Sequence, residues 1–96
     1  MRADYDSQAD SVEIELRQFD RYEHQEWVDD DYCVVAFADG EPTKVCLLGP
    51  AEHLDLLDAA AERYYLNGTA LRAATQAALA APDRIVTIDV SAPIAA

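Results

Sequence analysis

Acidic residues near the start of the chain lie at a spacing that could bind a hard cation. Asp4, Asp6, Gln8, Asp10 and Glu15 occupy positions 1, 3, 5, 7 and 12 of a twelve-residue frame, as in an EF-hand calcium loop. The match is incomplete, because position 6 is not the glycine that the sharp turn requires, and the following residues alternate like a strand. We therefore expect an acidic β-turn here, and a solvated turn at the three aspartates 29–31.

Two cysteines, Cys33 and Cys46, could do redox chemistry if the fold brought them together. Asp39-Gly40 predicts a two-residue type I′ hairpin, and counting back from it puts Cys33 opposite Cys46 at a non-hydrogen-bonded position. Positive charge near a cysteine favours the reactive thiolate, and Lys44 is the one cationic residue close to these two in the sequence. We therefore expect both cysteines to be reduced, packed thiols. A regulatory disulfide and a different strand register are the alternatives.

Residue types for catalysis or nucleic-acid binding are sparse. His24 and His53 stand alone, and the sequence contains neither a GxSxG motif nor a glycine-rich phosphate loop. We therefore expect a non-enzyme with no catalytic residue, no metal site and no cofactor. The segment around 67–69 superficially resembles a helix-turn-helix. Its second helix would offer bases and phosphates only Arg72 and Gln76, so we expect no direct contact with nucleic acid.

The charge of the chain favours a basic partner. The 96 residues include 19 acidic and 7 basic side chains, which gives a net charge of −12 at pH 7. Hydrophobic residues make up 51%, which predicts a folded domain rather than a disordered acidic tail. An acidic field attracts basic proteins and cations and repels nucleic-acid phosphates. No apolar run approaches the ~20 residues of a membrane-spanning helix, so we expect a cytoplasmic protein without membrane contact.

Alternation of apolar and polar residues predicts strands in the first half of the chain. Residues 12–16 alternate strictly, which is typical of a strand with one solvated face. A short strand is expected at 26–28, and the segment 32–38 is apolar on both faces, which predicts the central strand. The chain then returns as a strand over 41–48, where Pro42 suits an edge strand because it lacks an N–H.

Apolar spacing in the second half predicts two helices and a late strand. The helices are expected over 51–66 and from Ala70 to about Ala81, the second capped by Thr69. Asn67-Gly68 is expected to end the first helix as a left-handed cap. The β-branched, alternating segment 84–90 predicts a last strand.

These elements predict one α+β domain over 1–96. The fold is an antiparallel β-meander of three to four strands, packed by one or two C-terminal helices, with a late C-terminal strand. The domain divides into a β-rich acidic half at 1–48, a helical half at 50–81, the strand at 84–90 and a frayed tail at 91–96. The acidic half has a net charge of −9, from 13 acidic and 4 basic side chains.

Short motifs in the first half resemble a family of small prokaryotic proteins, the domain of unknown function number 2283. The resemblance covers about residues 3–60. It is carried by Tyr5-Asp6, Ala9-Asp10, Val12-Glu13-Ile14-Glu15-Leu16 and Asp39-Gly40. The chain departs from the family pattern at Lys44, where a glycine is usual, and at Cys46, where an acid is usual. The added helix and strand at 66–96 also lie outside that pattern. The resemblance implies a small β-rich domain without a known active site, of a kind associated with antitoxin-like roles.

The sequence as a whole predicts a non-catalytic protein-interaction module. Its expected partner is a basic protein, which this chain would mask as an antitoxin-like or regulatory protein does. The other expected partner is a second copy of the chain, in a homodimer. An accessory subunit of an enzyme is a variant of the same function. The predicted contact residues are Trp27, Tyr32, Val86, Ile88 and Val90, and the strand at 84–90 is the predicted pairing element, in a homodimer or against a partner. The alternative is a cation- or small-ligand-binding domain that uses the acidic clusters at 4–15 and 29–31.

Overall fold

A computed structural model of the chain describes residues 1–88, which form one antiparallel sheet and two helices. The elements are β1 (Arg2–Asp6), β2 (Ser11–Glu15), β3 (His24–Asp29), β4 (Cys33–Ala38), β5 (Glu41–Leu48), α1 (Asp55–Tyr64), α2 (Gly68–Ala80) and β6 (Ile85–Thr87). The predicted α+β fold with a late C-terminal strand is confirmed. None of the helices in this part of the chain is long and apolar enough to cross a bilayer.

The six strands that the structure describes lie in the order β3-β4-β5-β2-β1-β6. The sheet is therefore larger than the three to four strands predicted. β1 lies where the acidic residues predict a turn, although its aspartates alternate with Ala3 and Tyr5 in the polar–apolar pattern of a strand. β4 lies second from an edge, so the prediction that it is the central strand is wrong. β5 lies between β4 and β2 instead of at an edge, and Pro42 precedes the stretch that pairs with β2.

The β4–β5 hairpin turns at Asp39 and Gly40, which have φ angles of 55° and 75°, as a type I′ turn requires. Ala38 pairs with Glu41, as predicted, but a bulge follows and Ala36 pairs with Lys44. Such a bulge adds one residue to one strand and shifts every later pair by one position. In this hairpin the extra residue is Thr43, which lies on β5.

The bulge separates the two cysteines. Beyond it, Cys33 lies opposite Leu47, and Cys46 lies opposite Val34. Since neighbouring residues of a strand point to opposite faces, Cys33 faces the core and Cys46 faces the other side of the sheet. The predicted pairing of Cys33 with Cys46 is wrong, and both cysteines are free thiols.

Both helices pack against one face of the sheet. α1 contacts β3, β4 and β5, whereas α2 contacts β1, β2 and β6. Each fully buried leucine or isoleucine in this layer contributes roughly 1.5–3 kcal/mol. The core consists of Ala3, Val12, Ile14, Cys33, Val35, Phe37, Val45, Leu47, Leu57, Ala60, Leu71, Ala74 and Ala78.

The turn between the helices differs from the prediction. α1 ends at Tyr65, whose φ of 58° is left-handed, so Asn67-Gly68 is not the C-terminal cap. Asn67 instead begins α2, because its side-chain oxygen accepts a 3.0 Å hydrogen bond from the backbone N–H of Ala70. Asn67 therefore takes the capping role that was predicted for Thr69.

Candidate interaction surface

The sheet face opposite the helices, which we call the open face, carries one residue from each strand in a continuous row. These residues alternate along their strands with the buried core residues. In the order of the strands the row reads Trp27, Val34, Cys46, Glu13, Asp4 and Ile85. The row is therefore apolar over β3, β4 and β5 and acidic over β2 and β1.

The apolar part of the open face is a compact patch, defined here as Trp27, Tyr32, Val34, Cys46 and Leu48 (the apolar patch). Trp27, Tyr32 and Leu48 are 47%, 41% and 37% exposed. Val34 and Cys46 are half-buried between them. Tyr32 adjoins Leu48, whose backbone N–H donates to the Tyr32 carbonyl at 2.8 Å. Single exposed hydrophobic residues are ordinary, but a contiguous group with aromatic side chains is typical of an interaction site.

The acidic part of the open face consists of Asp4, Asp6, Glu13 and Glu15 (the acidic strip). Arg2 lies opposite Glu15, with its Nη1 4.0 Å from the Glu15 carboxylate. Asp4 and Glu13 are directly paired across β1 and β2. Partial burial, and next the charge of Glu13, raise the pKa of the Asp4 carboxyl. Lys44 offsets part of this charge, with its Nζ 3.4 Å from Oε1 of Glu13. Like charges paired across strands destabilise a sheet, so the free protein holds an unfavourable pair beside its apolar patch.

The connection between β2 and β3 contacts the open face at the end of the sheet away from Tyr32. Lys44 donates a 2.7 Å hydrogen bond to the Tyr22 hydroxyl, and its ammonium also lies 5.0 Å from the centre of the Tyr22 ring. Ala36 and Ala38 are buried at this end. The connection therefore bounds the apolar patch on one side, with the ring of Tyr22 42% exposed beside it.

A ring stack fixes Tyr32 at the opposite end of the patch. The Tyr32 and His53 rings are stacked with their centres 4.0 Å apart. His53 is held in turn by a 2.9 Å hydrogen bond between its Nδ1 and the Gly49 carbonyl, in which the ring nitrogen is the donor. Tyr32 is thus positioned by side-chain contacts, which lowers the conformational entropy that binding would cost.

No protein-family model, no curated protein and no solved structure matches the chain. The resemblance to the domain of unknown function number 2283 therefore stays a prediction.

The predicted contact residues fall into three groups. Trp27 and Tyr32 lie in the apolar patch. Val86 and Ile88 are partly buried and pack against the core, so their side chains are turned away from the open face. Val90 lies outside the described residues. β6 pairs with β1 over Ile85–Thr87, so one edge of the predicted 84–90 pairing element is already used within the chain.

Three residues of the apolar patch were missed by sequence reasoning, namely Val34, Cys46 and Leu48. Each alternates with core residues of its own strand, so the apolar run of β4 and the alternation of β5 contained the signal. Their grouping depends on the bulge that sets Val34 opposite Cys46, and that bulge has no clear sequence signature.

The acidic clusters predicted as a possible cation site are dispersed by the fold. Asp4 and Glu15 lie on the open face, whereas the Asp10 carboxylate accepts a 2.7 Å hydrogen bond from the Tyr5 hydroxyl. In the 29–31 turn, the Asp29 carboxylate accepts from two backbone N–H groups, so it stabilises the turn. Within residues 1–88, no group of three or more His, Cys, Asp or Glu side chains has the geometry to hold a metal ion.

A second cluster of titratable groups lies between α1 and the edge strand β3. Glu26 accepts hydrogen bonds from the Tyr64 hydroxyl at 2.9 Å and from the His24 ring at 3.1 Å. These two bonds, the one from Tyr64 first, lower the pKa of the Glu26 carboxyl. Arg63 lies 3.8 Å from the same carboxylate. Through these contacts the cluster connects α1 to β3, the strand that carries Trp27, so its contacts support a structural role.

The two thiols are expected to behave differently in the folded protein. Cys33 is fully buried, and burial raises the pKa of its thiol to about 11 from 9.0. Its thiolate fraction near neutral pH is therefore on the order of 100-fold lower than that of an unperturbed cysteine. Burial also raises the pKa of Cys46, which is only half-buried. We expect a thiol reagent to modify Cys46 first and Cys33 only on unfolding, as followed by intact-mass spectrometry with C46S as the control. If mild oxidation of the monomer removed two hydrogen atoms, a Cys33–Cys46 disulfide would have formed, which would contradict the β4–β5 register of the structure.

Proposed function

We propose that this protein is a non-catalytic interaction module that binds a basic protein through the open face. The observation that carries the proposal is the one-sided packing of the sheet. Within residues 1–88 both helices cover one face, and the other face presents Trp27, Tyr32 and Leu48 together. Exposed aromatic side chains in a polar surround are the type of surface that becomes the buried centre of an interface.

Charge supports a basic partner over a second copy of the chain. A net charge of −12 attracts a basic protein over a distance of about a Debye length, ~8–10 Å at moderate salt. Two copies that meet through their open faces would instead each bring a net charge of −12 to the interface, and like net charges repel. An antitoxin-like or regulatory protein that masks a basic partner in the cytoplasm is the form of this function that we favour.

Affinity capture from the native lysate tests the proposal. We expect the tagged protein to retain a basic protein at low salt, and W27S to retain at least ~10-fold less of it, because aromatic anchors dominate interface energetics. Y65S is the matched control, because Tyr65 is 96% exposed but lies at the end of α1. Retention should weaken at high salt because long-range attraction is screened.

Two results would overturn the proposal. Equal capture by the wild-type protein, W27S and Y65S would show that the open face is not the binding surface. Sedimentation of the wild-type protein as a dimer that W27S dissociates would assign the face to a second copy of the chain. Thermal unfolding of each variant shows whether it has kept its fold before capture is compared.

A further inference from the structure

We infer that the occupant of the apolar patch is an amphipathic helix of the partner, oriented with a row of arginine or lysine side chains against the acidic strip. This inference rests on the proposed function and specifies the element that binds. It follows from three features of the open face: how its backbone is paired, how wide the apolar patch is, and on which side the acidic residues lie.

The backbone of the inner strands cannot recognise a partner by pairing with it. β4, β5 and β2 each have neighbours on both sides, so their N–H and C=O groups are already used in the sheet. An added strand would bind at a sheet edge, not on this face. A segment that docks on the face must satisfy its own backbone groups, and a helix does so internally.

The width of the apolar patch fits one helix. Neighbouring strands lie ~4.8 Å apart, and a helix with its side chains is ~10 Å wide. A helix centred above Val34 and Cys46 therefore covers β4 and β5. One flank meets Trp27 on β3, and the other meets Glu13 on β2. Along the strands, the connection that carries Tyr22 bounds this surface beyond Cys46, and Tyr32 with Leu48 forms its other end.

The acidic strip gives the helix its orientation. Asp4 and Glu13 are directly opposed on neighbouring strands, a like-charge pairing that Lys44 offsets only in part. A guanidinium or ammonium group placed between them would relieve that repulsion, and arginine can bridge two carboxylates with its fixed N–H groups. The Trp27 flank carries no such pair. The partner helix should therefore be basic on one flank only and apolar on the side that faces the sheet.

Three designed 18-residue peptides without tryptophan test the inference. The first has leucines at helical spacing and arginines on one flank. The second has the same leucines with glutamates on that flank. The third is a scramble of the first that keeps its charge and loses the periodicity. Trp27 is the only tryptophan of the chain, so its fluorescence reports on the patch directly. We expect a blue shift and saturable binding with the first peptide alone.

Charge variants of the protein locate the basic flank. D4N/E13Q removes two charges from the acidic strip, and D55N/E62Q removes two exposed charges from α1, on the other side of the sheet, so both variants carry the same net charge. We expect D4N/E13Q to bind the first peptide roughly five- to tenfold more weakly than wild type, and D55N/E62Q to change binding by less than ~2-fold. D4N alone should also unfold at a higher temperature than wild type, since it relieves the like-charge pair and keeps the ion pair between Glu13 and Lys44.

Each other outcome overturns the inference in a recognisable way. Equal binding of the scrambled peptide, or equal loss in both charge variants, would reduce the effect to net charge. Binding of the glutamate peptide would show that a basic flank is not required. Peptide binding that appears only after residues 89–96 are deleted would show that this segment, and not a partner helix, occupies the apolar patch. If the peptide series fails while Trp27-dependent capture from the lysate persists, the helix inference is wrong and the proposed function stands.

Discussion

Replacing Leu71 by alanine is expected to lower the free energy of unfolding by about 3 kcal/mol, within the ~2–5 kcal/mol found for buried leucines. Leu71 lies on α2, is fully buried and belongs to the core between that helix and the sheet. A chain of this size has a total stability of only ~5–10 kcal/mol, so the variant should lose more than ~10 °C in its midpoint of thermal unfolding.

Urea unfolding followed by circular dichroism measures this loss, and L48A is the matched control. Leu48 lies in the apolar patch and is 37% exposed, so its truncation should cost less than ~1 kcal/mol. Affinity for the basic amphipathic peptide should show the reverse order: L48A weakens the complex, and L71A does not. Equal stability losses for L71A and L48A would mean that α2 does not cover the sheet as the structure has it.

Local patterns predicted most of the strands and the turn between β4 and β5. The segment 41–48 matches β5, and the strict alternation at 12–16 matches β2 within one residue. Asp39-Gly40 has the predicted backbone angles, because both central positions of a type I′ turn need positive φ. These features depend on near neighbours in the sequence, which is why they could be predicted.

The arrangement of the open face depends on long-range pairing, and it could not be predicted. Strand β2 returns to pair with β5, which sets Glu13 beside Cys46 and so places the acidic strip against the apolar patch. At the bulge, the Thr43 hydroxyl donates a 3.1 Å hydrogen bond to the Ala36 carbonyl, a contact that a two-residue turn does not specify. Alternation within a strand predicts which face of the sheet each side chain lies on, but it does not predict which side chains of other strands become its neighbours.

Replacing Gly49 by alanine is expected to cost about 2–3 kcal/mol and to disturb the Tyr32 end of the apolar patch. Gly49 has a φ of 57°, where a side chain costs roughly 1–2 kcal/mol. An added Cβ would also lie 2.9 Å from Nδ1 of His53, so the ring must move and lose its hydrogen bond to the Gly49 carbonyl, worth about 1 kcal/mol. Because Tyr32 stacks on that ring, binding of the basic amphipathic peptide should weaken as well.

Two comparisons isolate the contribution of His53. Gly40 also has a positive φ, 75°, but nothing lies within 4 Å of a Cβ placed there, so G40A should show only the backbone cost and leave peptide binding unchanged. In an H53A background, the clash is absent, and G49A should then cost no more than G40A does. If G49A costs the same with and without His53, the histidine does not support the patch. Tyr32 would then owe its position to backbone hydrogen bonds, from its N–H to the Asp29 carboxylate and from the Leu48 N–H to its carbonyl.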